Sequence, residues 1–197
     1  MTDLLADDDG ATPLEREEQE ALIPNHITLR SELNEVEQAG ILEADTWAFN
    51  RRRSSSTILE ERFLIGLHIR MFGSVWRWAG TFRLTERNIG VQAYRIPTEL
   101  RQLLDDVRYW LDHDTYPPDA IALRFHHRLV AIHPFPNGNG RHARLAADLL
   151  AVSLGQPRFT WGQGNLGADG DVRRSYIDAL RAADQHDMQP LFTFGRS

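Results

Sequence analysis

The chain has 197 residues, 42% of them hydrophobic, a net charge of −6 and no cysteine, which suits one compact domain with a tail rather than two independent domains. The acidic balance argues against general nucleic-acid binding, which needs a basic field. No disulfide framework can form, no apolar run of about 18 residues could cross a bilayer, and the acidic N-terminus does not read as a secretion signal, so the expectation is a soluble, cytoplasmic, single-domain protein. All 22 basic residues are arginine, which reads as genome bias.

Residues 1–20 are rich in Asp, Glu and Gly and are expected to be a mobile acidic tail, most of all around Asp7 and Gly10. Residues 21–54 read as a helical extension: Leu29, Leu33, Val36 and Gly40 recur at helical spacing, with Glu32, Glu35 and Glu37 between them. The run Arg51, Arg52, Arg53 followed by three serines admits a nucleic-acid patch, but the favoured reading is a loop and a helix start. Ser56 or Thr57 would cap a helix containing Ile58, Phe63, Leu67 and Phe72. Trp76 and Trp78 are assigned to packing, since residues two apart do not share a helix face. Residues 80–97, with Gly90 at the turn and Pro97 at the exit, predict a short β-hairpin.

Farther on, Asp119 after Pro117 and Pro118 is the expected cap of a helix whose buried stripe is Ala122, Phe125, Leu129 and Ile132. That helix delivers His133 at its C-terminal end. Pro134 stops it and biases His133 toward an extended backbone. A second helix is predicted from about Arg141, with Leu145, Leu149 and Val152 as its apolar stripe and Gly155 and Pro157 as its stop. The glycine-rich stretch 162–170 is a connector, with contact to a nucleotide base as the alternative. His126, seven residues before His133 and on a similar helix face, reads as a buried residue or one that supports the site from behind. The histidine spacings match no zinc-protease pattern.

Residues 133–144, His-Pro-Phe-Pro-Asn-Gly-Asn-Gly-Arg-His-Ala-Arg, carry the chemistry. An imidazole titrates near neutral pH and can accept a hydroxyl proton, which makes His133 a candidate general base. Gly138 and Gly140 allow amide N–H groups to converge on an anion, and a helix beginning there adds its unpaired N–H groups and dipole. Arg141 and Arg144 share a helix face and offer forked donors to phosphate oxygens. Together these parts suit chemistry on a phosphate ester.

This segment resembles the Fic motif, HxFx(D/E)GNGRxxR, and the likeness extends to Trp76-Arg77-Trp78-Ala79-Gly80 and to Tyr176, Ala179 and Leu180, covering roughly residues 55–194. Among Fic proteins the chain is similar to the small group called mobile mystery protein B. The resemblance implies an all-α, Fic-type bundle of six to eight helices over residues 55–197 with a small β-hairpin flap. It implies transfer of AMP from ATP to a Ser, Thr or Tyr hydroxyl of a target protein held at the flap, with Mg²⁺ required. In that scheme His133 is the base and Gly138, Asn139 and Gly140 hold the α-phosphate. Arg141 holds the β- and γ-phosphates, and Arg144 contacts the γ-phosphate.

Asn137 departs from the family pattern, which has Asp or Glu as a Mg²⁺ ligand; a neutral amide oxygen weakens that site. The alternatives are therefore a different phosphotransfer on the same scaffold, or a non-catalytic, toxin- or antitoxin-like interaction module. Fic proteins often carry an inhibitory helix whose glutamate pairs with the second motif arginine. Residues 31–35 fit the first part of that pattern and Val36 breaks it, so Glu35 is the inhibitory candidate, with an ordinary solvated helix face as the favoured alternative.

Overall fold

The computed structural model describes residues 20–24, 27, 30–163 and 170–197, with the backbone alone at 30 and 31. Apart from Glu20, the acidic tail lies outside the described residues, as do positions 164–169 of the glycine-rich connector. Among the described residues there are eight α-helices: α1 (Arg30–Phe49), α2 (Ser55–Ile58), α3 (Glu61–Phe72), α4 (Ile96–Asp112), α5 (Pro118–Ile132), α6 (Asn139–Ser153), α7 (Gly170–Asp184) and α8 (Gln189–Arg196). The fold is all-α, as expected. None of these helices is long and apolar enough to cross a membrane.

The centre is α6. Its residues 145–151, Leu-Ala-Ala-Asp-Leu-Leu-Ala, are all buried, and a helix buried all round must be enclosed by others. Three alanines there allow close approach. α5 packs antiparallel along α6 through its short connecting turn, while α1, α2 and α3 cover other sides. α4 packs on α5, and α7 with α8 closes the remaining face. The stripe Ala122, Phe125, Leu129 and Ile132 is buried as its spacing predicts.

Local chemistry places several boundaries differently from the sequence reading. Pro117 and Pro118, not Asp119, open α5: Pro118 stands at the first helical position, where a missing N–H costs nothing. Asp119 instead forms an ion pair with Arg196 of α8. Ser54, rather than Ser56 or Thr57, caps α2 by accepting the Thr57 N–H. The helix expected through Ile58 to Phe72 breaks at Leu59, whose carbonyl accepts from Arg108 of α4, and Glu60 is extended.

The predicted hairpin is absent: no strand ladder occurs among the described residues, and the one β-bridge pairs Leu22 with Trp76. Residues 81–92 run as an irregular segment lying on the turn between α5 and α6. Its backbone pairs there rather than with itself, Arg83 N–H donating to Pro134 O at 2.9 Å and Val91 N–H to Ile132 O at 3.3 Å. Hydrogen-bonding partners supplied by another segment outcompeted local pairing, which for an isolated two-stranded hairpin is marginal.

Asp148 ties three parts of the fold together. It accepts from the Phe159 N–H at 3.2 Å and the Trp161 indole at 3.0 Å, while Arg158 bridges it to Asp45 of α1. Burial pushes its carboxyl up to about 6, against the pull of Arg158. The folded protein thus keeps this proton to higher pH than the unfolded chain. The contribution of the group is present below pH 4 and lost as the pH rises toward about 6. Asp148→Asn keeps an oxygen for Phe159 and Trp161 but does not titrate. Urea unfolding from pH 4 to 7 should therefore show the stability of wild type falling relative to Asp148→Asn by up to about 3 kcal/mol; a gap independent of pH would contradict this.

Candidate active site

The turn between α5 and α6 spans only six residues, 133–138, and both of its ends are left-handed. His133 has φ 54° and ψ 60°, and Gly138 has φ 79°. The extended conformation expected for His133 is not adopted. A non-glycine residue in this region is strained and is held here by surrounding contacts: its N–H donates to Leu129 O, and its carbonyl accepts from the Arg83 guanidinium at 2.7 Å. At Gly138 a side chain is excluded, since a Cβ would lie 2.5 Å from the Phe72 ring. Gly140 needs no special φ; it lies inside α6, which starts at Asn139, two residues before the predicted start.

Asn139 closes the turn with its side chain, accepting from Phe135 N–H at 2.9 Å and donating to Phe135 O at 2.8 Å. Its backbone N–H, with those of Gly140 and Arg141, is then left at the helix N-terminus, where an anion is favoured. Asn137 Oδ1 accepts the Gly138 N–H. Residues 133–144 contain no carboxylate, and of their two amide oxygens that of Asn139 is committed to the buried turn, which leaves Asn137 Oδ1 as the candidate for a Mg²⁺. One neutral oxygen fits a cation held chiefly by phosphate oxygens.

His133 is buried, and burial, with the charges of Arg83 and Arg87, brings its pKa down to about 4, partly offset by the Val130 carbonyl. The imidazole is neutral near pH 7, the form that can take a proton. Arg144 lies against Tyr176, bonded to its hydroxyl. The same hydroxyl is 3.0 Å from His126 Nε2, so His126 is a buried support of the site, as read from the sequence. A Cβ on Gly140 would approach both Arg144 and the Tyr176 hydroxyl. Arg141 crosses the Phe72 ring and is less buried.

The carboxylate that reaches the motif is Glu37, not Glu35. Glu35 is exposed on α1. Glu37 lies half a turn on, buried, with one oxygen 2.8 Å from Arg141 Nη1 and the other accepting the Trp76 indole N–H at 2.7 Å. The face of α1 that docks on α3 decides this, and the alternation of glutamates along the sequence does not reveal it. Trp76 stacks on Trp78, as the packing reading implies, and also holds the acid.

Sequence reasoning missed two further residues. His68 of α3 is fully buried and stacks on Phe135. It accepts the Gly80 N–H at Nδ1 and donates from Nε2 to Asn137 O at 3.1 Å, which fixes its tautomer and joins the segment after Trp78 to the anion loop. Arg83 is the second. A lone arginine before a predicted turn gave no signal of burial.

Comparison with known proteins places this site in a family. Residues 58–151 match the Fic/DOC family. The chain is 29% identical over 135 residues to the protein adenylyltransferase Fic of Aedes aegypti, covering 66% of this chain and 26% of that protein. It is 28% identical over 151 residues to the protein of the same description from Nematostella vectensis, covering 73% and 32%. The chain thus spans about a quarter to a third of the length of these relatives. Its fold is similar to that of BepC, a VirB-translocated effector of Bartonella tribocorum with bound AMPPNP, at a TM-score of 0.67 and 17% identity over 91% of this chain and 96% of that one. Residues 133–144, with their turn and the two helices that flank it, fall almost wholly inside the family match, and the chain carries a Fic/DOC family domain whose matched part is residues 58–151.

Proposed function

We propose that the protein is a protein adenylyltransferase that moves AMP from ATP to a Ser, Thr or Tyr hydroxyl of a target, in the cytoplasm. The observation that carries this reading is the placement of a neutral, buried His133 at the mouth of the α6 N-terminus, with Arg141 and Arg144 on one face of that helix. The description of the curated relatives as protein adenylyltransferases supports it.

The α-phosphate would rest on the N–H groups of residues 139–141, with the β- and γ-phosphates against Arg141 and Arg144. His133 takes the proton of the target hydroxyl as its oxygen attacks the α-phosphorus. The bond from that phosphorus to the bridging oxygen of the β-phosphate breaks, and pyrophosphate leaves. Positioning and charge neutralisation do most of the work in such a transfer. Mg²⁺, held by the phosphates and Asn137, would supply further neutralisation. The target would lie along residues 81–92, next to His133.

Glu37 opposes this arrangement, because it occupies the guanidinium that the β- and γ-phosphates need. α1 thereby holds the site closed, and nucleotide entry requires Arg141 to exchange partners. Asn137 favours the second reading, a different phosphotransfer or a non-catalytic, antitoxin-like binding module, since it lacks the charge of the family carboxylate.

Three measurements check the proposal. Transfer of label from ATP to protein should fall by a factor of about 10²–10⁴ in His133→Ala, while binding of a non-hydrolysable ATP analogue stays near wild type; mass analysis of the product separates an AMP adduct from a phosphate adduct. Glu37→Gln keeps an acceptor for Trp76 and releases Arg141, so calorimetry should find the analogue bound up to about tenfold tighter. Asn137→Asp should lower the Mg²⁺ concentration needed for half-maximal transfer. If wild type and Asn137→Asp both transfer nothing with Mg²⁺ or Mn²⁺, the enzymatic reading fails.

A further inference from the structure

Arg83 is the largest buried charge near the site that the chemistry above does not use. Its side chain has no exposed surface, and Glu86 stands 4.0 Å away and largely in solvent. Three backbone carbonyls surround the guanidinium. Nε–H donates to His133 O at 2.7 Å, Nη1–H to Thr85 O at 2.9 Å, and Nη2–H to Val91 O. The Arg83 N–H adds a fourth bond, to Pro134 O. Thr85 and Val91 lie on the two limbs of the segment expected to be a hairpin, either side of Gly90, and His133 is the residue in the strained left-handed conformation.

One guanidinium therefore does what a strand ladder would otherwise do, joining both limbs of the segment, and ties them to the carbonyl of the general base. Gly90 shows how close the limbs come: a Cβ there would lie 2.7 Å from Arg83 Nη2 and 2.7 Å from His133 Cβ. A planar fork with five donors can satisfy three carbonyls in fixed directions; an ammonium on a flexible stem cannot match that geometry.

We propose that Arg83 is the positioning residue of this site, a buried clamp that closes residues 81–92 over the turn and holds His133 in its left-handed conformation. The inference deepens the adenylyltransferase reading and takes its functional meaning from it. Arg83 also acts on the imidazole through its charge. The groups facing His133 include Arg83 and Arg87 from the segment and the Val130 carbonyl from α5; burial and the two arginines favour the neutral ring, and the carbonyl opposes them. Shape and charge are thus separable parts of one side chain: Arg83→Lys keeps the charge and loses the fork, while Arg83→Met loses both.

Hydrogen exchange by mass spectrometry and NMR titration of labelled histidine, both on the full chain, test the clamp without needing a target protein. In Arg83→Lys, amides of 81–92 should exchange at least about tenfold faster, with α3, α5 and α6 protected as in wild type, and His133 should titrate near its wild-type pH. In Arg83→Met the same segment should loosen, and His133 should titrate about one pH unit higher. Unchanged exchange of 81–92 in Arg83→Lys with the helices intact would overturn the clamp, and that variant decides the matter if Arg83→Met does not fold. A His133 titration that is the same in wild type and a folded Arg83→Met would remove the charge role. Labelled-ATP transfer by wild type is read separately, so absence of transfer would count against the enzymatic reading while leaving the exchange result to judge the clamp.

Discussion

The six-residue reversal between α5 and α6 is the constraint on which the rest depends. Two long helices packed side by side must be joined across residues 133–138, and the chain manages it with a left-handed residue at each end. Gly138 takes that conformation without steric cost. His133 does not, so its strain must be held by neighbours. Because the second helix begins directly after the turn, the strained histidine and a helix terminus that attracts anions are only six residues apart. The site is a consequence of the shortest path between two packed helices.

What holds the turn is polar and buried. Asn139 bonds both backbone groups of Phe135, His68 links Asn137 O to Gly80 N–H, His142 donates to Leu64 O at 2.9 Å, and Arg83 gathers three carbonyls. Backbone groups in a buried turn cannot reach water, and few of them find helix partners, so side chains and the backbone of residues 81–92 supply their bonds. Such networks specify one geometry because a half-satisfied version costs more than an apolar one. Burial also keeps the histidines neutral: His68 and His142 are driven down with His133, largely by desolvation.

Charge sets the resting state. α1 packs on α3 and brings Glu37 to Arg141, and Trp76 holds the other carboxylate oxygen. The N-terminal helix is therefore part of the site and not merely an extension before it. The two motif arginines differ in consequence: Arg144 lies deep against Tyr176, while Arg141 is nearer the surface and paired with an acid.

Much of this was legible in the residues. Periodicity marked the buried stripe of α5, and the motif marked His133, Gly138, Asn139, Gly140, Arg141 and Arg144, because local spacing on two helices and a glycine turn decides which groups sit together. Short-range rules failed where a distant segment supplied a partner. Residues 80–97 carry hairpin signals, yet their donors and acceptors went to Ile132, Pro134 and Arg83. Pro134 argued for an extended His133, and the Arg83 bond to its carbonyl accompanies a left-handed one. Glu35 and Glu37 look alike along the chain, and only the face of α1 that meets α3 distinguishes them. The amino-acid order by itself determined most of the helices, the glycine-bearing turn between α5 and α6 and the histidine that opens it, since those follow from contacts within a few residues. Which glutamate reaches Arg141, and which arginine bonds the His133 carbonyl, was decided by tertiary packing, because burial and hydrogen bonding between segments 50 and 104 residues apart leave no periodic trace in the sequence.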